Sequence, residues 1–394
     1  MNIPVEVRLE RRLEVKRRTA FIVPIVSVLV ALLLGGIFLA LTDHPPIDVY
    51  KELFESGFAT WYGFTDTLAA ATPLVLTGLA AAFAFRMNLY NIGAEGQLYA
   101  GAIAASWAGL ALAPDLSGPL AVSVVLLFGA IGGALWILIP ALARAYFATS
   151  EIVTTLLFNY VALFLMQYLI FGSSSYWRDP NSFSFPQGKP LPPVTHFPVL
   201  HFPTDLFGID FPSGATRIHL GLAVGIGLAV LIWGLLSYTG FGYNMRVIGD
   251  SQDAARYAGI PIRRTVIIVL LVSGALAGLA GAGEVGGRAY ALDPNGLVLN
   301  LGYTGIVVAA LARYNPFGVV LVSILLGGLR TGAESLQSAP GNLRVPISIA
   351  YMLEGAILLV ALGGEVFRRN RLVIRRTTPE PAPIEVPAPE VAPA

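Results

Sequence analysis

Three glutamates sit in positions where burial would be costly. Glu95 lies within Asn91-Ile-Gly-Ala-Glu-Gly, Glu284 near the end of an apolar run, and Glu354 in the middle of another. Carboxylates in such segments mark a path for protons, cations or a polar solute, or they hydrogen-bond and cap broken helices. Asn91, Gln97, Asn159 and Asn300 pose the same alternative: they line a path, or they satisfy freed backbone groups. Other chemistry is poorly supplied. The chain has no cysteine, which excludes disulfides, thiolate zinc sites and cysteine nucleophiles. His44, His196, His201 and His219 form no ligand pair at helical spacing, so no metal site is expected. No Ser/His/Asp or paired-carboxylate set shares an element, which leaves an enzyme reading without support. Gly281-Ala-Gly-Glu-Val-Gly286 fits GxGxxG but ends an apolar run with no βαβ context. These glycines, with Gly274 and Gly278, read instead as points of close helix approach. No Walker A motif occurs, so no nucleotide cofactor is expected on this chain.

The elements that must position these residues are spans. Of 394 residues, 55% are hydrophobic and 12% charged, against about 25% charged in soluble domains. A span needs roughly 20 apolar residues. Runs fall near 20–41, 66–86, 97–113, 119–146, 150–172, 218–238, 265–286, 301–312, 316–330 and 346–364. The expectation is an all-α, multi-pass protein of a bacterial cytoplasmic membrane with about ten spans. Residues 1–19 form a basic cytoplasmic N-terminus, and the run that follows is too long for a cleaved signal segment. Residues 20–365 form the membrane domain, with an outer loop at 173–217 and a cytoplasmic loop at 239–264. Residues 366–394 form a cytoplasmic, largely disordered tail. Arg86, Arg144, the four arginines of 239–264 and the arginines after 367 all fall on one side, so both termini are placed in the cytoplasm. A net charge of +1 gives no case for nucleic acid. The outer loop carries Tyr176, Trp177, Phe183, Phe185, Phe197 and Phe202; it is either a docking surface or a lid packed on the spans.

An internal repeat is present. Asn91-Ile-Gly-Ala-Glu-Gly and Asn300-Leu-Gly-Tyr-Thr-Gly share the form Asn-aliphatic-Gly-x-x-Gly, and each opens a run of small apolar residues. In the topology above the two copies cross the bilayer in opposite senses, the pattern of inverted repeats.

The segment 239–264 has tidy start and stop signals. Asp250 or Ser251 caps a short helix, Asp253 lies in its first turn, and Gly259 and Pro261 end it. Ala254, Ala255, Tyr257 and Ala258 offer a small apolar face. A helix displayed outside the membrane suits docking of a cytoplasmic partner.

Gly249-Asp-Ser-Gln-Asp-Ala-Ala-Arg-Tyr-Ala-Gly-Ile260 resembles the coupling-helix motif of ABC importer permeases of the branched-chain amino acid, ribose and simple-sugar group. Tyr90-Asn-Ile-Gly-Ala-Glu-Gly-Gln97 resembles a signature of the nucleoside and simple-sugar branch, and Glu151-Ile-Val-Thr-Thr-Leu-Leu-Phe-Asn-Tyr160 a second one. The resemblance covers about residues 20–365. It implies ten helices in inverted halves and a second permease, related or identical. It also implies two ATPase subunits that carry the ATP and Mg, and a solute-binding lipoprotein or periplasmic protein. Asp250, Ser251, Asp253, Ala254, Ala255, Arg256, Tyr257 and Gly259 would couple to the ATPase, with Ala254 and Ala255 in its groove. The path would be lined by Asn91, Glu95, Gln97, Asn159, Asn300 and Glu354. Nucleosides are the expected solutes, monosaccharides the alternative. Outside this family stand an ion-coupled carrier, motivated by Glu95 and Glu354, and a membrane scaffold.

Overall fold

The computed structural model describes residues 5–11, 17–182, 185–200, 205–206, 209–210 and 216–376. The apolar runs become helices close to where composition places them. In chain order these are α1 (Arg17–Leu41), α2 (Pro46–Phe54), α3 (Trp61–Phe85), α4 (Ala94–Ala111), α5 (Gly118–Phe147) and α6 (Glu151–Gln167, continued by a π turn to Gly172). There follow α7 (Leu220–Tyr238), α8 (Gly240–Asp250), α9 (Gln252–Tyr257), α10 (Ile262–Gly287), α11 (Pro294–Leu297), α12 (Leu301–Leu311), α13 (Pro316–Leu336) and α14 (Ser348–Arg369). Among the described residues, seven helical segments are long and apolar enough to cross a membrane: α3, α5, α6 with its extension, α7, α10, α11–α12 and α13. Leu127, Leu135 and Ile139 of α5 and Leu157 and Phe164 of α6 stay exposed, as lipid-facing residues do. The protein is therefore a multi-pass membrane protein.

The all-α expectation needs correcting at the chain ends. Strand β1 (Val5–Arg11) pairs antiparallel with a strand at Asn370–Arg376, in register from Val5 opposite Arg376 to Arg11 opposite Asn370. Of the tail segment 366–394, α14 takes the residues to Arg369 and the ribbon takes Asn370–Arg376; Thr377–Ala394, where disorder is expected, lies outside the described residues. Residues 205–206 and 209–210 make a second, minimal hairpin. Pairing of the terminal strands brings residues 5–11 and 370–376 side by side.

Packing centres on α10, which lies against α3, α4 and α5. The sequence allows this because the contact is glycine. Gly274 and Gly278 face Gly133 and Gly129 of α5, and Gly278 also faces Gly101 of α4. A methyl group at these positions would overlap a neighbouring backbone. In a membrane, where apolar side chains gain nothing by leaving lipid, close backbone approach and van der Waals contact hold helices together.

The two halves exchange partners. α10 packs on α4 and α5, while α3 packs on α12 and α13. The first turns of α4 and α12 touch, Gly302 lying on the backbone of Ala94 and Glu95. From there the helices part. α4 runs toward the outer loop, with Gly109 beside Leu191 and Thr195. α12 runs toward the end of α3, where the Arg86 Nε donates to the Tyr314 carbonyl at 3.3 Å and the rings of Phe85 and Tyr314 lie 5.6 Å apart. Both helices thus begin at a shared point inside the body.

Candidate functional site

Between α3 and α4 the chain leaves helical geometry over residues 89–93 while Asn91 and Gly93 stay buried. Backbone groups freed inside a bilayer must find partners within the protein. They find them on one face of α6. Glu151 Oε1 accepts from the Tyr90 N–H at 3.2 Å and Thr155 Oγ1 from the Ile92 N–H at 3.2 Å. Asn159 Oδ1 accepts from the Gly96 N–H at 2.8 Å, while its Nδ2 donates to the Ile92 carbonyl at 2.9 Å. The spacing has a geometric cause. Four residues of helix rise about 6 Å, close to the rise of about 6.6 Å for two residues of extended chain. Glu151 and Thr155, one turn apart on α6, therefore match the alternate amides of Tyr90 and Ile92, while Asn159 reaches on to the Gly96 N–H in the first turn of α4. Arg144 at the end of α5 holds the other oxygen of Glu151 at 3.1 Å.

Asn91 and Gln97 close the same turn. Asn91 Nδ2 donates to Gln97 Oε1 and to Ser273 Oγ of α10, and Asn91 Oδ1 accepts from Gln97 Nε2 and the Gly93 N–H, each at 2.9 Å. Ser273 in turn donates to the Ala80 carbonyl of α3 at 2.7 Å. One amide pair thus ties α3, α4 and α10 together. Glu95 is the clasp between the halves. Its Oε1 accepts from the Tyr99 hydroxyl and its Oε2 from the Gly302 N–H, both at 2.5 Å. A carboxylate there meets the positive end of α12. Asn159 Nδ2 reaches the Tyr303 hydroxyl at 3.1 Å, and Arg330 of α13 donates to Thr304 Oγ1 at 2.7 Å.

So three of the polar residues proposed as path lining, Asn91, Gln97 and Asn159, spend their hydrogen bonds inside the body, and Glu95 joins the repeats. Asn300 is different: it is exposed, in left-handed geometry at φ 55°, and its side chain caps nothing. Glu354 lies on α14, with its side chain outside the described residues. Glu284 is buried on α10, with Arg288 and Arg330 as oppositely charged neighbours. Sequence reasoning missed Arg330, Tyr303 and Thr304. Of the stripe Glu151, Thr155, Asn159 it singled out only Asn159, although the four-residue period in an otherwise apolar run was a readable signal.

The segment 239–264 holds two helices where one was expected. α8, capped by Thr239 Oγ1 on the Gly242 N–H at 3.2 Å, buries Gly242, Met245 and Ile248. α9 starts on Ser251, whose Oγ accepts from the Ala254 N–H at 3.2 Å; Asp250 ends α8 instead. Gly259 at φ +70° and the bond from the Ile260 N–H to the Ala255 carbonyl at 3.0 Å end α9. Asp253 and Arg256 pair at 3.4 Å on its exposed side. The expectation that Ala255 enters a partner's groove fails on burial: Ala255 is fully buried against its own chain, whereas Ala254 is exposed and Tyr257 wholly so.

Residues 63–362 match the family model described as the branched-chain amino acid transport system permease component. The chain belongs to this permease family. It is 32% identical to the guanosine ABC transporter permease protein NupP of Bacillus subtilis, over 90% of this chain and 96% of that protein. It is 32% identical to the glucose ABC transporter permease protein TsgB13 of Haloferax volcanii, over 96% and 97%. It is 30% identical to the nucleoside ABC transporter permease protein NupB of Lactococcus lactis, over 86% and 89%.

At its other end the permease carries a polar mouth. A cavity of about 360 Å³ is lined by Asp66, Arg217, His219, Arg288 and Tyr290 among others. Arg217 pairs with Asp66 at 3.2 Å, and Arg288, just past the end of α10, with Glu334 of α13 at 3.5 Å. His219 Nδ1 accepts from the Gly221 N–H at 3.2 Å, capping α7. Burial, then the charge of Arg288, lowers its imidazole to about 4, so the ring is neutral and free to accept. The segment 173–217 packs on the helices along part of its length. Phe197 is buried, its N–H donating to the Gly286 carbonyl at 2.8 Å, and Trp177 Nε1 donates to the Ile103 carbonyl at 3.2 Å. Tyr176 and Phe185 remain exposed; Phe183, His201 and Phe202 lie outside the described residues.

Proposed function

We propose that this permease is the membrane-spanning subunit of an ATP-driven ABC importer that passes nucleosides across the cytoplasmic membrane. The observation that carries the reading is full-length similarity to a guanosine and a nucleoside permease in a chain that displays a self-capped helix, α9, outside its spans. In this reading α1, α4 and α14 cross the membrane with the seven segments named above, giving ten. The face bearing Arg86, Arg144, Arg256, Arg263 and Arg264 is cytoplasmic, and so are both termini. Two ATPase subunits, carrying ATP and Mg, dock on α9 of this chain and of a second permease, related or identical. A solute-binding lipoprotein or periplasmic protein delivers the solute to the polar mouth. Closure of the ATPases presses on the exposed Gln252, Asp253, Arg256 and Tyr257. Buried Ala255 and the short link to α10 pass that movement to the helix on which α3, α4 and α5 pack.

The glucose relative of equal identity supports a monosaccharide as the second reading. An ion-coupled carrier has less to stand on, because the Glu95 carboxylate that motivated it already accepts from Tyr99 and from the end of α12. The test is to purify the tagged chain in mild detergent, identify what co-purifies, and titrate the binding protein with guanosine, uridine, ribose and glucose. An ATPase with nucleoside binding supports the proposal. An ATPase with glucose or ribose binding moves the solute to sugars. A chain that purifies alone and takes up solute in an ionophore-sensitive manner overturns it.

A further inference from the structure

A cleft of about 1090 Å³ opens between the end of α5 and the start of α10. Its rim carries Arg144, Arg256, Arg263 and Arg264, and none of its lining residues is acidic. Two of these charges are already engaged: Arg144 pairs with Glu151 at 3.1 Å and Arg256 with Asp253 at 3.4 Å. Arg263 lies 5.7 Å from the Tyr146 ring centroid, and both Arg263 and Arg264 are exposed. Below the rim the wall turns apolar, through Val266, Ile267 and Ile268, which belong to a helix long and apolar enough to cross the membrane. Charge at the membrane surface above an apolar groove within the bilayer has the chemistry of an amphiphile with an anionic head.

We propose that this cleft is a binding site for an anionic phospholipid, its phosphate held by Arg263 and Arg264 and one acyl chain lying along Val266–Ile268. Basic pockets between spans at the cytoplasmic edge suit such headgroups. The apolar wall is the first turn of the apolar run that begins near 265, directly below the arginine rim, and this pairing of a basic rim with an apolar wall favours lipid over the ATPase as occupant. The inference rests on α5 and α10 crossing a membrane and is independent of the solute. The bound lipid would touch Gln252 and Arg256, both of which line the cleft, and so would steady α9.

The test uses the purified permease with its co-purifying subunits, offered phosphatidylglycerol or phosphatidylcholine at equal concentration, with native mass spectrometry reading the retained lipid. A phosphatidylglycerol adduct is expected to survive where phosphatidylcholine is lost. Each arginine changed in Arg263→Gln and Arg264→Gln should weaken retention roughly fivefold, while Lys51→Gln at the far face changes nothing. If the double variant fails to fold, Arg264→Gln alone, at an exposed position, reads the same effect. Equal retention of both lipids, retention unchanged in the arginine variants, displacement by excess inorganic phosphate, or stoichiometric displacement by added ATPase would each overturn the proposal.

Discussion

The helix break and the segment 239–264 use similar residues to opposite ends. At the break, the side chains of Asn91, Gln97, Thr155 and Asn159 are bonded to backbone or to one another, and all are buried. On α9, Ser251 and Gly259 finish the helix, and Asp253, Arg256 and Tyr257 are left facing outward. The first region holds an unusual backbone path together; the second leaves capacity for a partner. Polar residues in a membrane protein therefore divide by where their hydrogen bonds go rather than by their type. Substitutions should separate the two regions, stability moving at the break and coupling at α9.

The largest loss of stability is expected from Gly302→Val. A side chain there meets the backbone of Ala94 and Glu95, so the two helix starts cannot stay in contact. Overpacking costs about 1–3 kcal/mol or more, and loss of the Gly302–Glu95 bond adds to it. Folded yield and thermal midpoint in detergent should both collapse. A variant with the midpoint of the parent would mean that the opposed helices do not share this contact. Asn159→Ala should follow, leaving the Gly96 N–H and one bond of the Ile92 carbonyl unmade at about 1–3 kcal/mol for each unsatisfied group. Asn159→Asp keeps the acceptor for the Gly96 N–H but sets a buried carboxylate oxygen against the Ile92 carbonyl, so it should fall at least as low as Asn159→Ala.

The outer end offers a graded check through His219. Its imidazole is held at about 4 in the folded chain against about 6.5 unfolded. The unfolded state therefore binds the proton first as pH falls. The stabilisation is complete above the unfolded value and is lost as pH drops from 6.5 toward 4. Between pH 7 and pH 5 the loss is about 2 kcal/mol. His219→Asn, which keeps an acceptor for the Gly221 N–H but does not titrate, should flatten that part of the thermal-midpoint profile. An unchanged profile would show that the ring is not held neutral.

The spans were legible because lipid imposes composition directly. α5, expected over 119–146, occupies Gly118–Phe147, and α7, expected over 218–238, occupies Leu220–Tyr238. α13 was cut short at 330 because Arg330, Thr331 and Glu334 interrupt the apolar run. The helix continues to Leu336 since Arg330 finds Thr304 and Glu334 finds Arg288. Those partners come from other helices, which no local window contains. α2 and α8 were missed for a related reason: each buries only a few residues of a mixed sequence against the body. The paired terminal strands depend on residues more than 350 positions apart. At the site, the polar residues of the break stand out in the sequence, but whether they line a path or satisfy backbone turns on a match between α6 and the non-helical residues 89–93 that appears only once both are folded.

The smallest effect on stability, and the most informative, is expected on α9. Tyr257 is wholly exposed and Asp253 nearly so. Tyr257→Ala and Asp253→Lys should therefore shift stability by less than about 0.5 kcal/mol, the range of surface changes. In reconstituted importer the same variants should lose solute uptake, by tenfold or more if these side chains seat in the ATPase, while the ATPase alone keeps its turnover. Ala255→Glu behaves differently, because it places a charge in a fully buried position and should both loosen α9 and lower the thermal midpoint. If Tyr257→Ala and Asp253→Lys leave uptake unchanged, the outward side of α9 carries no partner and the division drawn between the two regions fails at its cytoplasmic end. If they uncouple at full stability while the Asn159 variants destabilise, the permease keeps its internal hydrogen bonds for structure and its exposed ones for the motor.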